Sequence, residues 1–542
     1  MTRREAVASA VGIFAVAFVV RVVFASQIVF PKPEDTAYYF GVARNLVGGR
    51  GLVSDALWSY QTPPLAFPRA AFEVWLPLPT LLAAIPMALL GATFAAAQWS
   101  SVVLGALVPV LAWRLAADVA EERQLPTGRA RTLALGTGLT CAVYLPLLLH
   151  SALPDSTMPF AFLAIAACLL MARIAREPRG GRVLDPRVIG LGVLIGLAAL
   201  TRNEAVYLGL AWLIVAVGIA GLDHRARAAL IAAVAAVAVL VFLPWAVRDW
   251  LTFGSPFPGQ AVANAFSISG FDIFAWNDPP TLARYLAVGP ARLVDMRVEG
   301  FSHNLFSVLL LPGLPLSLIG FVGLPWAIRG AAIRPLVIVS FAAFLVTTLV
   351  FPVATTWGTF LHAAGPFQVL LVLSALLALD ALIAWVGSRL GWTRPVAWLG
   401  PLLGIFGSLL FSVALLPSFG SGSGATAEQY RQLAEAMAGI GHPIDGSSGP
   451  VITNFPIWMA ETQRIDALAL PDEPPRDVLD LASTFGAKLV VLLDAASTHW
   501  PHDLDAGVDG ASCFHELDLG AAPSRTPADA LGTTRAFEVV CP

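Results

Sequence analysis

Long apolar runs dominate this sequence, and they constrain its fold more than any other feature. A helix needs about 20 predominantly apolar residues to cross the hydrocarbon core of a bilayer. Only 13% of the residues are charged, against 57% hydrophobic, which fits a chain surrounded largely by lipid. The runs lie at residues 6–30, 74–93, 96–117, 132–150, 157–173, 188–200, 205–221, 228–247, 305–328, 335–352, 363–387 and 396–416. The sequence therefore predicts a polytopic α-helical membrane protein.

Arginine positions indicate which ends of these runs face the cytoplasm, because short cytoplasmic loops are enriched in Arg and Lys. Arginines occur near the N-terminus and in the loops at 118–131, 174–187, 222–227, 329–334 and 388–395. Three runs separate the first two of these segments, although the chain must cross an even number of times. Run 74–93 contains Pro77, Pro79 and Pro86, and we expect it to lie at the outer surface. The prediction is about eleven transmembrane helices, with a cytoplasmic N-terminus and an extracytoplasmic C-terminus in the cell membrane.

The predicted topology places nearly all of the loop mass outside the cytoplasm. The expected domains are a transmembrane part at 1–416 with outer loops 31–94 and 248–304, a linker at 417–424 that is rich in Gly and Ser, and an extracytoplasmic α/β domain at 425–542. Helices are expected at 426–440 and 475–486, and buried strands at 451–453 and 489–493. Cys513 and Cys541 fall in this domain, where they form either a disulfide or two free buried thiols.

Two aspartates stand at the predicted outer ends of apolar helices. Asp35 follows the first run, and Asp155 lies in a tight turn between the fourth and fifth runs. Either residue could cap a helix, Asp35 for one that starts at Thr36 and Asp155 for one near Ser156. A pair of carboxylates that faces one cavity is also a common arrangement for acid–base catalysis. The functional interpretation makes Asp35 and Asp155 the candidate catalytic residues.

Several further charged residues lie beside the membrane, where a charge is costly. Arg202 lies in the turn between the two shortest runs, and it could bind a phosphate through both nitrogens of its fork or pair with Glu204. For the others, a structural role as an interfacial anchor competes with substrate binding. The candidate substrate-binding residues are Arg69, Glu73, Arg202, Glu204, Arg248 and His362.

Five motifs occur in a fixed order and at the predicted outer ends of the helices. They are Asp35 with Tyr-x-x-x-Ala-Arg-Asn-Leu at 39–46, a Pro-rich segment at 63–93, Leu-Pro-Asp at 153–155, Gly-Leu-Ala-Ala-Leu-Thr-Arg at 196–202 and Pro-Trp-x-x-Arg at 244–248. This set resembles the GT-C superfamily of membrane glycosyltransferases, especially the protein O-mannosyltransferase and aminoarabinose transferase branch. The resemblance covers about residues 1–390.

The resemblance implies an inverting transfer of a hexosyl or pentosyl group from a polyprenyl-phosphate sugar to an acceptor hydroxyl. Asp35 would be the general base, Asp155 would position the acceptor or Asp35, and Arg202, with Arg69, would stabilise the departing lipid phosphate. The implied partners are the polyprenyl-phosphate-linked sugar, membrane lipid, and an acceptor that is a glycan, a lipid or a protein. Metal dependence differs within the superfamily. This sequence has no clear ligand cluster, so no cofactor is predicted.

Two other functions compete with this interpretation. A transporter or flippase for a lipid-linked sugar would also need many spans, but such proteins commonly contain two related halves, and we find no internal repeat. An inactive scaffold that binds the carrier lipid is the second alternative. A nucleic-acid partner is not expected, because the net charge is only −3.

Overall fold

The computed structural model describes residues 2–392, 396–521 and 531–541. Each of the twelve apolar runs contains helical structure. Arg394, in the predicted loop 388–395, lies outside the described residues. The helices up to residue 253 are α1 (Arg3–Ala25), α2 (Glu34–Val47), α3 (Leu78–Leu90), α4 (Phe94–Glu122), α5 (Thr127–Val143), α6 (Leu145–Ser151), α7 (Thr157–Arg176), α8 (Pro186–Ala199), α9 (Val206–Val217) and α10 (His224–Phe253).

The later helices are α11 (Gln260–Ala263), α12 (Leu282–Ala287), α13 (Gly289–Ser302), α14 (Leu316–Ala327), α15 (Arg334–Leu349), α16 (Thr359–Ala363), α17 (Gly365–Arg389), α18 (Leu399–Gly439), α19 (Pro456–Gln463), α20 (Pro475–Phe485) and α21 (Trp500–Asp505). A π-helical segment, His303–Leu310, follows α13.

The helices are those of a multi-pass membrane protein. Among the described residues, six helices are long and apolar enough to cross a bilayer, or up to eight if each of two bent pairs counts as one span. The remaining apolar helices have 10–17 residues, so the number eleven stays a prediction. Helix α3 has 13 residues and extends only about 20 Å, which is less than the roughly 30 Å hydrocarbon core. Helix α9, whose run is counted among the eleven, has only 12 residues, so length does not separate α3 from the spans and the surface position of run 74–93 stays a prediction.

A buried arginine inside the first span, Arg21, holds the neighbouring helices together. Arg21 Nε donates to Ser151 Oγ (3.0 Å), and its Nη1 donates to Ala142 O (3.0 Å). These bonds satisfy a charge that would otherwise be costly in the membrane. Gly105 on α4 permits this arrangement, because a Cβ there would lie 2.2 Å from Ser151 Oγ. The end of α6, which precedes Asp155, is therefore held against α1 and α4.

Most of the sheet structure lies in the C-terminal region. The strands are β1 (Val53–Ser54), β2 (Ala56–Leu57), β3 (Arg69–Ala70), β4 (Val451–Thr453), β5 (Ala467–Ala469), β6 (Leu489–Leu492), β7 (Phe514–Leu517) and β8 (Arg535–Val539). Among the described residues, β1 pairs with β3, and one sheet has the order β2-β5-β4-β6-β8-β7. Strands β2, β5, β4 and β6 are parallel, while β8 and β7 are antiparallel to their neighbours. The two strands and the helix near 475–486 predicted from sequence are confirmed.

Strand β2 comes from the segment between α2 and α3, so the sheet is shared between distant parts of the chain. Ala56 and Leu57 pair in parallel with Ala467 and Leu468 of β5. The predicted boundary at residue 425 therefore does not enclose the whole α/β unit. Apolar strands that alternate with helices predict a sheet, but a two-residue strand is too short to give a periodic signal.

The predicted linker at 417–424 is wrong, because these residues lie within the continuous helix α18. Tertiary contacts outweigh the low helix propensity of Gly and Ser. The Oγ of Ser423 accepts hydrogen bonds from the backbone N–H groups of Val29 (3.0 Å) and Phe30 (2.7 Å). Small residues thus allow α18 to lie close to the chain that leaves the first span.

The sequence left open whether Cys513 and Cys541 are free thiols or a disulfide. In the structure they form a disulfide.

Candidate functional site: a carboxylate–histidine cluster

Asp35 lies in the first turn of α2, immediately beyond the end of the first span. The predicted N-cap role of Asp35 is wrong, because α2 begins at Glu34, two residues before the expected start at Thr36, and its N-cap is Pro33. The Oδ1 of Asp35 instead accepts a hydrogen bond from Thr36 N at 2.8 Å. Its side chain is 11% exposed, so Asp35 lies at the edge of the protein interior, where a bound molecule can contact it.

His362, on the short helix α16, is the direct partner of Asp35. Its Nε2 lies 2.7 Å from Asp35 Oδ2. Burial opposes the charge on His362, but the carboxylate of Asp35 outweighs burial and raises the pKa of His362. Burial likewise opposes the charge on Asp35, but His362 and then Arg202 lower the pKa of Asp35 below its ordinary value. The two residues therefore form an ion pair.

Asp155 approaches the same histidine from the other side. Its Oδ2 lies 3.6 Å from His362 Nδ1 and 3.7 Å from His150 Nδ1. Its Oδ1 accepts a hydrogen bond from Thr157 N at 2.7 Å, so one oxygen does support the start of α7, as the capping interpretation predicted. We call Asp35, His150, Asp155 and His362 the carboxylate–histidine cluster.

Part of this cluster also has a donor set that a divalent ion prefers. His150, Asp155 and His362 each offer a ligand atom, and these atoms lie within 4.8 Å of one another. His150 Nδ1 and Asp155 Oδ2 are buried and make no hydrogen bond among the described residues. Nδ1 of His362 also lies 2.7 Å from Thr157 Oγ1, so an ion bound there would replace that hydrogen bond, while Nε2 would keep the bond to Asp35, a common arrangement for Zn²⁺ ligands. The residues fit a metal ion, although the sequence predicted no cofactor.

Arg202 borders the cluster, but its guanidinium group is already occupied. Its Nε and Nη2 donate to the two carboxylate oxygens of Glu204 at 3.0 and 2.8 Å. Nη1 donates to Ser156 Oγ at 2.9 Å, and Nη2 also reaches Thr359 O at 3.0 Å. The predicted ion pair with Glu204 is formed, while binding of a phosphate by Arg202 stays a prediction. The arginine therefore contributes positive charge near Asp35 and orients the turns around it.

Arg69, Glu73 and Arg248 form a second group of charged residues, which we call the arginine cluster. Arg69 is almost fully buried, donating to the backbone carbonyls of Pro64 and, at 2.6 Å, of Thr62, and its Nε lies 3.6 Å from Glu73 Oε1. Burial raises the pKa of Glu73, while Arg69 opposes the rise. These bonds hold the segment 62–73 and leave Arg69 no exposed nitrogen for a ligand.

Arg248 differs from Arg69 in being accessible. It lies near the C-terminal end of α10 and stacks over the rings of Trp245 (4.8 Å) and Phe253 (5.2 Å). Its side chain is 23% exposed, and Nη1 pairs with Asp249 at 2.9 Å. Among the described residues, its other two nitrogens form no hydrogen bond. Arg248 is therefore the residue of the arginine cluster that can still bind an anion.

Two adjacent tyrosines of α2 connect the clusters. Tyr38 accepts a hydrogen bond from Phe72 N at 2.7 Å and lies near Glu73, whereas Tyr39 lies near Asp35 and Arg202. Tyr39 begins the motif at 39–46, but the sequence predicted neither tyrosine, nor His150, as a site residue. A histidine that ends an apolar run five residues before Asp155 was a usable signal.

Comparison with known proteins identifies the fold. No protein-family model and no curated protein matches this sequence. Among solved structures, ArnT from Cupriavidus metallidurans bound to undecaprenyl phosphate has a TM-score of 0.56 and 14% identity, with 98% of this chain and 99% of that chain covered. The oligosaccharyltransferase AglB from Archaeoglobus fulgidus, in complex with an inhibitory peptide and a dolichol-phosphate, has a TM-score of 0.56 and 13% identity over 90% of this chain and 69% of that one.

A structure of the Archaeoglobus fulgidus oligosaccharyltransferase with Zn and sulfate is also similar, with a TM-score of 0.54 and 15% identity over 88% of this chain and 67% of that one. The chain therefore has the fold of the GT-C membrane glycosyltransferases, which confirms the resemblance inferred from the sequence motifs. At these identities the likeness concerns the fold.

Proposed function

We propose that this protein transfers a sugar from a polyprenyl-phosphate donor to an acceptor hydroxyl on the outer face of the membrane. The observation that carries the proposal is the ion pair of Asp35 and His362, with Asp155 on the other side of the imidazole, at the ends of apolar helices in a GT-C fold. The similar structures of ArnT and AglB hold undecaprenyl phosphate and a dolichol-phosphate. A lipid phosphate is therefore the expected end of the donor.

In the proposed reaction, Asp35 accepts the proton of the acceptor hydroxyl. The hydroxyl oxygen forms a bond to the anomeric carbon, and the bond from that carbon to the phosphate oxygen breaks. The electron pair leaves with the polyprenyl phosphate, and a single displacement inverts the anomeric centre. His362 holds the Asp35 carboxylate ionised and oriented through its 2.7 Å contact. Asp155 orients the imidazole from the opposite side.

Negative charge develops on the departing phosphate, and a nearby cation stabilises it. Arg248 is the residue we assign to this role, because two of its nitrogens are unoccupied among the described residues and it lies at the outer end of a span. Arg202 supports the site through charge and position, since its nitrogens are bound to Glu204, Ser156 and Thr359. A divalent ion held by His150, Asp155 and His362 would supply further positive charge.

The topology proposed is the eleven-span arrangement, with the cluster and the C-terminal domain outside the cytoplasm. Two contacts support a common side for the outer segments. Strand β2 of the first segment pairs with β5, and Glu473 accepts hydrogen bonds from the backbone of Trp276 (2.8 Å) and Asn277 (2.9 Å) in the loop 248–304. Segments that share a sheet and hydrogen bonds lie on one side of the membrane.

The proposal is tested by transfer assays in proteoliposomes with a panel of radiolabelled polyprenyl-phosphate sugars and candidate acceptors. We compare wild type with Asp35→Asn, and use Asp295→Asn as the control because Asp295 is an exposed carboxylate on α13. Consumption of a donor by wild type and the control, with a loss of about 10²- to 10⁴-fold in Asp35→Asn, supports the transferase. Donor that moves between leaflets without being consumed would instead identify a flippase, and donor bound without either outcome a scaffold.

A further inference from the structure

Helix α2 lies between the transmembrane site and the C-terminal domain, and it presents a different face to each. Successive residues of a helix are separated by about 100°. Asp35 and Tyr39 therefore fall on one face, while Glu34, Gly41 and Arg44 lie about 100° to 180° away from Asp35 around the helix, on a second face. The first face contributes Asp35 to the carboxylate–histidine cluster. The second face contacts α19.

One end of this second face is held by the first turn of α19. The Oε1 of Glu34 accepts hydrogen bonds from the backbone N–H groups of Ile457 (3.0 Å) and Trp458 (3.3 Å). These are amides that the helix itself leaves without partners, and a carboxylate at a helix N-terminus is also favoured by the helix dipole. The indole Nε1 of Trp458 donates to Pro31 O at 2.8 Å. The chain on both sides of Pro33 is thus bound to α19.

The other end is held by a largely buried ion pair. Arg44 of α2 binds Glu461 of α19, with side chains 15% and 7% exposed. Between the two ends the helices are in direct contact at Gly41, where an added Cβ would lie 3.0 Å from Glu461 Oε2. The contact between α2 and α19 therefore extends over almost three turns of α2.

We propose that α19 of the C-terminal domain positions the Asp35 carboxylate for catalysis, with Glu34 as the positioning residue. Glu34 and Asp35 are neighbours on one turn, so the hydrogen bonds that fix Glu34 also fix the direction in which Asp35 leaves the helix. A general base must lie within hydrogen-bond reach of the proton it accepts, and a displacement of about 1 Å can cost 10²-fold in rate. The inference rests on the proposed function, because Asp35 acts as a base only there.

The first experiment compares the transfer kinetics of the full-length protein with Glu34→Ala and Glu34→Gln. Glutamine keeps an oxygen that can accept from Ile457 and Trp458, whereas alanine does not. We expect kcat to fall at least tenfold in Glu34→Ala, with KM for the lipid donor within about twofold of wild type, and kcat within about threefold of wild type in Glu34→Gln. Glu435→Ala, an exposed glutamate on α18 paired with Arg431, is the control and should match wild type.

The second readout is hydrogen exchange, which does not depend on any activity. Backbone amides of α2 should exchange faster in Glu34→Ala, while those of α7 and α17 keep their wild-type rates. If Glu34→Ala fails to fold, Gly41→Ala serves in its place, because its Cβ would lie 3.0 Å from Glu461 Oε2 and displace that carboxylate at the other end of the contact while Glu34 remains. We expect a fall in kcat and faster exchange in α2, both smaller than in Glu34→Ala.

The positioning role and the proposed function fail separately. Full kcat in the variant that disturbs the contact between α2 and α19, or unchanged exchange in α2, overturns the positioning role while Asp35→Asn remains inactive. Equal transfer by wild type and Asp35→Asn overturns Asp35 as the base, and with it the positioning role of Glu34 in catalysis. A fall in donor affinity as large as the fall in kcat would also overturn it, because a positioning residue for the base should leave donor binding unchanged.

Discussion

His362 Nε2 lies 2.7 Å from Asp35 Oδ2, and the opposite ring nitrogen lies 2.7 Å from Thr157 Oγ1. The imidazole is thus held at both nitrogens, which fixes its plane relative to the carboxylate. Histidine in such a position orients a carboxylate and keeps it ionised. The pair also joins α2, which leaves the first span, to α16, which precedes the span α17.

Replacing His362 by glutamine should lower the rate of transfer without weakening the binding of the donor. Glutamine can still bond to Asp35 but cannot carry the positive charge, so the Asp35 carboxylate loses its ion-pair partner. We expect kcat to fall about 10- to 100-fold, with polyprenyl-phosphate binding unchanged. Single-turnover transfer and a lipid-binding assay measure the two quantities. His502→Gln in the C-terminal domain is the control, and equal kcat in His362→Gln would show that the pair has no part in the reaction.

Replacing Arg248 by alanine should weaken binding of the lipid phosphate. A hydrogen bond to a charged group contributes about 1.5–3 kcal/mol, so we expect the Kd for polyprenyl phosphate to rise roughly 10- to 100-fold. Lysine at this position keeps the charge but loses the stack on Trp245 and Phe253, so an intermediate Kd is expected. Equilibrium binding in detergent micelles gives the values, with Arg292→Ala as the exposed control. An unchanged Kd in Arg248→Ala would remove this residue from the phosphate site.

The contact between α2 and α19 should make the stability of the protein depend on pH. Burial raises the pKa of Glu461 to about 7, although Arg44 opposes the rise. Its unfolded value is near 4.5, so the folded state binds the proton more tightly. The stabilisation is complete below pH 4.5 and is lost as the pH rises through 7.

We therefore expect the Tm of wild type to fall between about pH 4.5 and 7 relative to that of Glu461→Gln, which cannot ionise. Thermal unfolding in detergent across this range measures the difference, and Glu435→Gln provides a surface control. Parallel Tm profiles for wild type and Glu461→Gln would contradict the assignment of the shift to Glu461.

The disulfide provides a test of the proposed side of the C-terminal domain. Cys513 and Cys541 are joined, whereas Cys141 and Cys168 are buried free thiols within the helices. A membrane-impermeant maleimide applied to intact cells should label 513 and 541 only after reduction with an impermeant phosphine. Mass spectrometry of the labelled peptides gives the result. Labelling that requires permeabilised cells would place the domain in the cytoplasm.

The sequence predicted the apolar helices and both carboxylates of the site, because these signals are local. A run of about 20 apolar residues has few alternatives to a membrane helix, and Asp35 and Asp155 each directly adjoin such a run. The partnership with His362 was not predictable, since that residue lies more than 200 positions from Asp155 in the sequence. The position of His362 just before a helix is as typical of an interfacial anchor as of a substrate-binding residue.

The linker predicted at 417–424 is wrong for the same reason, because the contacts that stabilise the helix there are remote in the sequence. Gly and Ser favour flexible chain when only local propensity is considered. The helix there is stabilised by Ser423, whose hydroxyl binds the backbone at Val29 and Phe30, about 390 residues earlier in the sequence. Strand β2 was missed for a comparable reason, because its partner β5 is equally remote.

The pairing of β2 with β5 also has a consequence for biosynthesis. Residue 56 leaves the ribosome about 400 residues before its partner at 467, a delay of about 20 to 80 s at ordinary rates of translation. In the proposed topology the segment that carries β2 is already across the membrane during that interval, but neither β5 nor α19 exists to dock it. Under the proposed arrangement, a nascent chain carries Asp35 without orienting it, so activity would begin only when synthesis of the C-terminal domain is complete.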